Sequence, residues 1–208
     1  MRARGISVLR TLRKQFPSAH TALRHENAFQ LLVATILSAQ CTDERVNMVT
    51  KDLFRKHPAA ADFATVPREV LEIEIRSTGF YRMKAKNVIA CSSMLLERFG
   101  GDVPQTMEDL VHIPGVGRKT ANVVLGQAFG ITSGVVVDTH VHRLARRLGF
   151  TNEDTPEKIE ADLMALFPKR DWIEVGTVLI LHGRKTCNAR KPDCPACPVN
   201  HLCPSSAV

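Results

Sequence analysis

The chain has 208 residues, enough for one large domain or two small, closely packed ones. With 44% apolar and 24% charged residues it has the balance of a globular protein, which excludes disordered, collagen-like and low-complexity classes. A net charge of +7 and a pI of about 9.3 point to polyanions as partners, because Lys and Arg gain by releasing counterions from phosphates.

The N-terminal segment Met1–Ser7 is basic, but no apolar core of a signal peptide follows before Arg10, Arg13 and Lys14. Ala28–Ala39 is apolar on most faces and predicts a central, buried helix; its apolar run, Leu31–Leu37, is too short to span a bilayer. A cytoplasmic protein with no membrane association is expected. Helical spacing recurs over 70–75, 84–99, 120–129, 139–148 and 159–167, with Val141, Leu144, Ala145 and Leu148 on one face. Thr106 and Asp109 form a near capping box, and Thr155 precedes a first-turn proline, Pro156. Val135–Val137 is the one strand-like run and reads as an extended lead-in to the helix near Thr139. The expectation is an all-α protein of about ten short helices.

Residues 110–124 carry the first chemical signal. Two helical stretches are joined by Pro114-Gly115-Val116-Gly117, and the second continues through Arg118-Lys119-Thr120. Glycines at 115 and 117 permit positive φ and let backbone N–H groups approach a phosphate, which the start of the next helix also attracts. This is a helix-hairpin-helix, a grip on the DNA backbone that ignores sequence.

Lys119 and Asp138 are the second. An ordinary lysine amine is neutral in only about one molecule in 2,500 at pH 7, so a nucleophilic lysine needs burial or a nearby positive field. The helix start and Arg118 supply such a field. On local pattern alone, however, Asp138 reads as a helix N-cap and Lys119 as a phosphate contact.

The third is Cys187-x6-Cys194-x2-Cys197-x5-Cys203, with prolines 192, 195, 198 and 204 in and beside it. Four thiols this close in an intracellular chain predict metal before disulfides. Zinc is the chemical alternative; zinc sites usually pair two Cys-x2–4-Cys elements and one is present here, whereas a [4Fe–4S] cluster tolerates this uneven, compact loop. Arg184, Lys185, Arg190 and Lys191 make the loop basic. Cys41 and Cys91 stand apart in apolar surroundings and are expected to be buried structural thiols.

With those residues in hand, the chain resembles the endonuclease III family of DNA glycosylases over nearly its whole length. The resemblance rests on Leu-Ser-Ala-Gln-Cys-Thr-Asp (37–43), Thr-Gly-Phe-Tyr-Arg-Met-Lys-Ala (78–85), the segment 113–124, Val-Asp-Thr-His-Val (137–141), Leu-His-Gly-Arg (181–184) and the cysteine spacing. It implies a two-lobed, all-α fold with DNA held between the lobes. Residues 22–132 would form a six-helix barrel holding the hairpin (about 106–129); residues 1–21 with 133–208 would form the iron–sulfur domain, its cluster loop at 187–203.

The implied activity is base excision repair: removal of oxidised pyrimidines such as thymine glycol from double-stranded DNA, then nicking of the abasic site, by a monomer. Lys119 would be the nucleophile and Asp138 its partner carboxylate. Gln40 would fill the gap left by a flipped base. Phe80 stands where the family usually has a leucine wedge, so opposite-base preference is open there. Gly115, Gly117, Arg118, His140, Arg184 and Lys191 would face DNA, and Cys187, Cys194, Cys197 and Cys203 would hold the cluster. Two rivals are weighed. Adenine/mismatch glycosylases of this fold lack lysine at the hairpin position, so Lys119 argues against them; the presence of Lys119 with Asp138 argues against a non-catalytic iron–sulfur DNA-binding module.

Overall fold

The computed structural model describes residues 1–208. It is all-α. Eleven α-helices follow one another: α1 (Arg2–Gln15), α2 (Ala28–Leu37), α3 (Asp43–Lys56), α4 (Ala60–Thr65), α5 (Arg68–Glu74), α6 (Tyr81–Phe99), α7 (Met107–Val111), α8 (Arg118–Phe129), α9 (Thr139–Arg147), α10 (Pro156–Leu166) and α11 (Trp172–Lys185). Short 3-10 turns cover Arg76–Thr78, Lys169–Asp171 and Asn200–Leu202. Val135–Val137 is extended and unpaired, as its lack of a partner run predicts. No helix is long and apolar enough to cross a membrane.

The chain divides into two compact units: Thr21–Ile131 is continuous, whereas the other joins Met1–His20 to Thr132–Val208. The continuous unit is built around α2. Every residue of that helix after Ala28 is buried, because Phe29, Leu31, Leu32, Val33, Ile36 and Leu37 cover all of its faces. Helices α3, α6 and α8 pack against it, and their apolar stripes complete one core with Phe63, Leu71 and Leu110. Asn27 caps α2, its side chain accepting from Gln30 N at 2.9 Å.

In the discontinuous unit α11 packs on α9 and α1. Its core joins Val8, Leu9 and Leu12 of α1 to Val141, Leu144 and Ala145 of α9 and Val175, Val178 and Leu179 of α11. Arg4 ties α1 both to the turn after α9, donating to Gly149 O at 3.1 Å, and to the 3-10 turn Asn200–Leu202, donating to Leu202 O at 3.0 Å. Thr155 precedes Pro156 as expected, yet its side chain makes no cap bond; Pro156, whose φ is already helical, sets that start. Cys91 is fully buried, and burial pushes its thiol up to about 12. Cys41 departs from expectation: it lies beyond the end of α2, half-buried against the core rather than within it.

Candidate functional site

In the continuous unit the hairpin runs from α7 through residues 112–117 into α8. Thr106 opens it, its hydroxyl accepting from Asp109 N at 3.1 Å and donating to Asp109 Oδ2 at 2.7 Å. Gly115 has φ +80°, and a Cβ there would stand 2.8 Å from Asn87 Cβ on α6, so both conformation and packing demand glycine. Gly117 corrects the sequence expectation. Its φ is −92° and ψ 174°, extended backbone open to any residue, and a Cβ would meet nothing within 4 Å. The protein's own packing gives no reason for glycine at 117, and the space before it is open to a ligand. Gly117 is also the N-cap of α8 and gives no side-chain cap, so the first amides of this 12-residue helix point to an uncapped end. Arg118 and Lys119 occupy its first turn, both exposed. The chain itself gives Lys119 no burial.

Gln40 and Phe80 share a rarer feature. They are the two non-glycine residues with positive φ, at 53° and 48°, and both are exposed, Phe80 by 66%. A side chain in the left-handed region carries local strain and persists only where its surroundings hold it. Gln40 lies just past the end of α2; Phe80 opens α6.

The discontinuous unit carries Asp138 and His140. Asp138 is the N-cap of α9: Oδ1 accepts from His140 N at 2.8 Å and Val141 N at 2.9 Å. The capping role expected from local pattern is therefore real, and it engages Oδ1. His140 Nδ1 faces Arg143 Nη2 at 3.2 Å, and since a guanidinium only donates, Nδ1 accepts and Nε2 carries the proton. Gly183 makes room for this pair, because a Cβ there would be 3.0 Å from His140 Cβ.

All four cysteines of the 187–203 loop are free and half-buried, and they line one cavity of about 180 Å³. Burial, with further repulsion from the neighbouring sulfurs, pushes the Cys197 and Cys203 thiols up. Arg147 Nη1 donates to Cys187 Sγ at 3.3 Å, and also to Asn188 O at 2.8 Å. His182 bridges Gln15 Oε1 (3.2 Å from Nδ1) and Cys197 Sγ (3.5 Å from Nε2). The buried Ser206 hydroxyl, in the same wall, has no partner from the chain. Four thiols lining one cavity are a donor set that fits a thiolate-held iron–sulfur cluster. Arg184, near the end of α11, and Lys191, in the loop, are both exposed.

The candidate residues thus fall into two sets. Gln40, Phe80, Gly115, Gly117, Arg118 and Lys119 belong to one unit; Asp138, His140, Arg184, Lys191 and the cysteines belong to the other. Four residues around these sets escape sequence reading: Lys84, Arg143, Arg147 and His182. Arg143 Nη2 donates to Gly183 O and Cys187 O, both at 2.9 Å. The i, i+4 spacing of Arg143 and Arg147 on α9 is a legible signal of one shared face.

Comparison with known proteins fits this geometry. Residues 33–169 match the family described as HhH-GPD superfamily base excision DNA repair protein. The chain is 53% identical to endonuclease III of Synechocystis sp. over 203 residues, 98% of this chain and 93% of that protein. It is 48% identical to endonuclease III of Bacillus subtilis, covering 90% and 86%. A solved structure of a trapped endonuclease III–DNA covalent intermediate, an estranged-adenine complex, superposes with a TM-score of 0.94 at 45% identity, covering 99% of this chain and 97% of that one.

Proposed function

The chain belongs to the endonuclease III family of HhH-GPD base excision DNA repair proteins, and from that premise we propose that Lys119 is its nucleophile and Asp138 the carboxylate that assists it. The protein is a DNA glycosylase and AP lyase, and its partner is duplex DNA. Its substrates are oxidised pyrimidines of the thymine glycol type and the abasic sites they leave. The work lies with the bacterial chromosome, in the cytoplasm at the nucleoid.

One observation carries the assignment of Lys119: it projects, exposed, from the first turn of α8, two residues after a glycine whose missing side chain the fold does not need. A phosphate seated on the amides at Gly117–Lys119 would hold the adjoining nucleotide within reach of the amine. A stacked base shields its own sugar, so the damaged nucleotide must leave the duplex first. Gln40 stands exposed to take the vacated space, and Phe80 to wedge against the opposite strand. Lys119 Nζ then attacks C1′, the C1′–N bond breaks, and the electron pair leaves with the base. With the amine proton lost, the sugar ring opens: the C1′–O4′ bond breaks, O4′ takes up a proton, and the lysine nitrogen forms an iminium with C1′. That iminium acidifies C2′–H; loss of that proton expels the 3′ phosphate. Asp138, through the oxygen not engaged in capping α9, offsets positive charge on the sugar and accepts the lysine proton.

Cys187, Cys194, Cys197 and Cys203 would hold a [4Fe–4S] cluster. When bound it ties four points of the loop together, and with four thiolate ligands it leaves no position for substrate. Arg147, His182 and the Ser206 hydroxyl surround the thiols, while Arg184 and Lys191 turn basic groups outward for phosphates.

Borohydride trapping on a thymine glycol duplex tests the catalytic assignment. The parent protein should give a covalent adduct and Lys119→Gln none. An adduct of unchanged yield from the variant would remove Lys119 from the mechanism.

A further inference from the structure

Lys84, on α6 four residues after Phe80, is 4% exposed and has no part in the chemistry above. Burial strips the ammonium of water and pushes it below the ordinary lysine range, with a smaller opposing pull from Cys41. Two carbonyls stand in for that water: Nζ donates to Leu37 O at 2.8 Å and to Thr78 O at 2.7 Å. Both acceptors close helical segments, Leu37 ending α2 and Thr78 ending the 3-10 turn Arg76–Thr78. Carbonyls there lack partners further along the chain and carry partial negative charge. Helix α2 has no basic residue in its own last turn, so Lys84 brings the complementary charge from a different helix.

Each acceptor also stands just ahead of a strained residue. Gln40 lies three residues beyond Leu37 and Phe80 two beyond Thr78, and these are the two non-glycine residues in the left-handed region. A single ammonium is therefore bonded at the root of both strained segments. A buried ion of this kind contributes little net stability compared with an apolar side chain of similar size, but it fixes relative position closely.

We propose that Lys84 is a positioning residue that clamps the Gln40 and Phe80 segments into one preformed pair, so that both side chains enter the duplex together. The proposal rests on the reading of Gln40 and Phe80 as DNA-inserting residues. With the clamp intact the two segments are ordered before DNA arrives; without it, each must be ordered separately during base extrusion, which lowers the extrusion equilibrium by on the order of tenfold.

The test is a double-mutant cycle read by 2-aminopurine placed opposite thymine glycol in duplex DNA, whose fluorescence rises when that base unstacks. Lys84→Met should lower the extrusion equilibrium about tenfold in the parent protein, and less than twofold when Gln40→Ala and Phe80→Ala are already present. An equal loss in both backgrounds, or none in the parent, overturns the clamp. If Gln40→Ala with Phe80→Ala leaves the signal unchanged, the DNA-inserting reading fails and takes the clamp with it; that comparison involves no change at Lys84, so the two failures are distinct. Should Lys84→Met not fold, residue-resolved hydrogen exchange on the unaltered protein decides. The amides of Cys41 and Gly79, each hydrogen-bonded within its own segment, should open with equal protection, and a difference above about tenfold would refute a shared clamp.

Discussion

A Cβ built on Gly115 would stand 2.8 Å from Asn87 Cβ, closer than real Cβ contacts come, and the atom it would strike sits at the stiff base of the asparagine side chain. Two residues on, Gly117 faces open space. One turn therefore holds two glycines of different standing: the fold requires the first and not the second, which the proposed function assigns to the phosphate that the turn takes.

Substitution separates them. Gly115→Ala combines the clash with an unfavourable φ of +80°, and should lower unfolding free energy by about 1–3 kcal/mol in urea titration. Gly117→Ala should leave stability within about 0.5 kcal/mol while weakening binding to an abasic-site duplex roughly tenfold or more, measured by fluorescence anisotropy. Equal destabilisation by both changes would contradict the assignment.

Asp138 is expected to show two separable roles. An asparagine can still accept from His140 N and Val141 N, so Asp138→Asn should keep the fold while cutting base excision about 10²–10⁴-fold. Asp138→Ala loses the cap as well and should cost about 1 kcal/mol of stability in addition. Thermal melts beside single-turnover excision would report both; an asparagine variant that excises at the parent rate would confine Asp138 to capping.

The cluster loop gives a third expectation. Cys197→Ser removes one of four thiols around the cavity, so the protein should lose the visible absorbance of an iron–sulfur cluster together with stability and DNA affinity. Full DNA affinity without that absorbance would show that the loop is ordered by the polypeptide alone.

Glu74 governs part of the acid response. Burial alone would raise its pKa, but Lys56 Nζ and His57 Nε2, each 2.9 Å away, more than offset that and hold it below the ordinary 4.5. A carboxylate with a depressed folded pKa stabilises the fold above its unfolded value and loses that contribution as pH falls through the folded one. Below about pH 4.5 the stability of the parent should therefore fall more steeply than that of Glu74→Gln. Parallel acid limbs in the two unfolding curves would show that the ion pairs contribute nothing.

Much of the fold is legible in the chain because its signals are local. Helix α2 is apolar on most faces, and the hairpin announces itself through glycine, proline and the basic first turn of α8. Helix α3 is far less visible: its buried positions are only Val46, Thr50 and Leu53, a thin stripe among charged residues, although Thr42 as cap, Asp43 and Glu44 in the first turn and Arg55 and Lys56 in the last are signs of it. Lys84 is illegible for another reason. Its acceptors are 47 and six residues away, and no local pattern distinguishes a lysine that turns inward from one that turns out. Gly117 misleads because glycine is permissive: its presence allows a positive φ without requiring one.

The unbroken run Thr21–Ile131 has a consequence for how the protein is made. Helix α1 is translated before its packing partner α11 exists, and the whole core around α2 follows before α11 is made. That core can close while α1 waits with Val8, Leu9 and Leu12 uncovered, and the four cysteines of the 187–203 loop come after all of it in the chain. On the ribosome the hairpin unit is therefore complete before the other, and the unit that carries the cysteine loop is assembled around a helix made long before it.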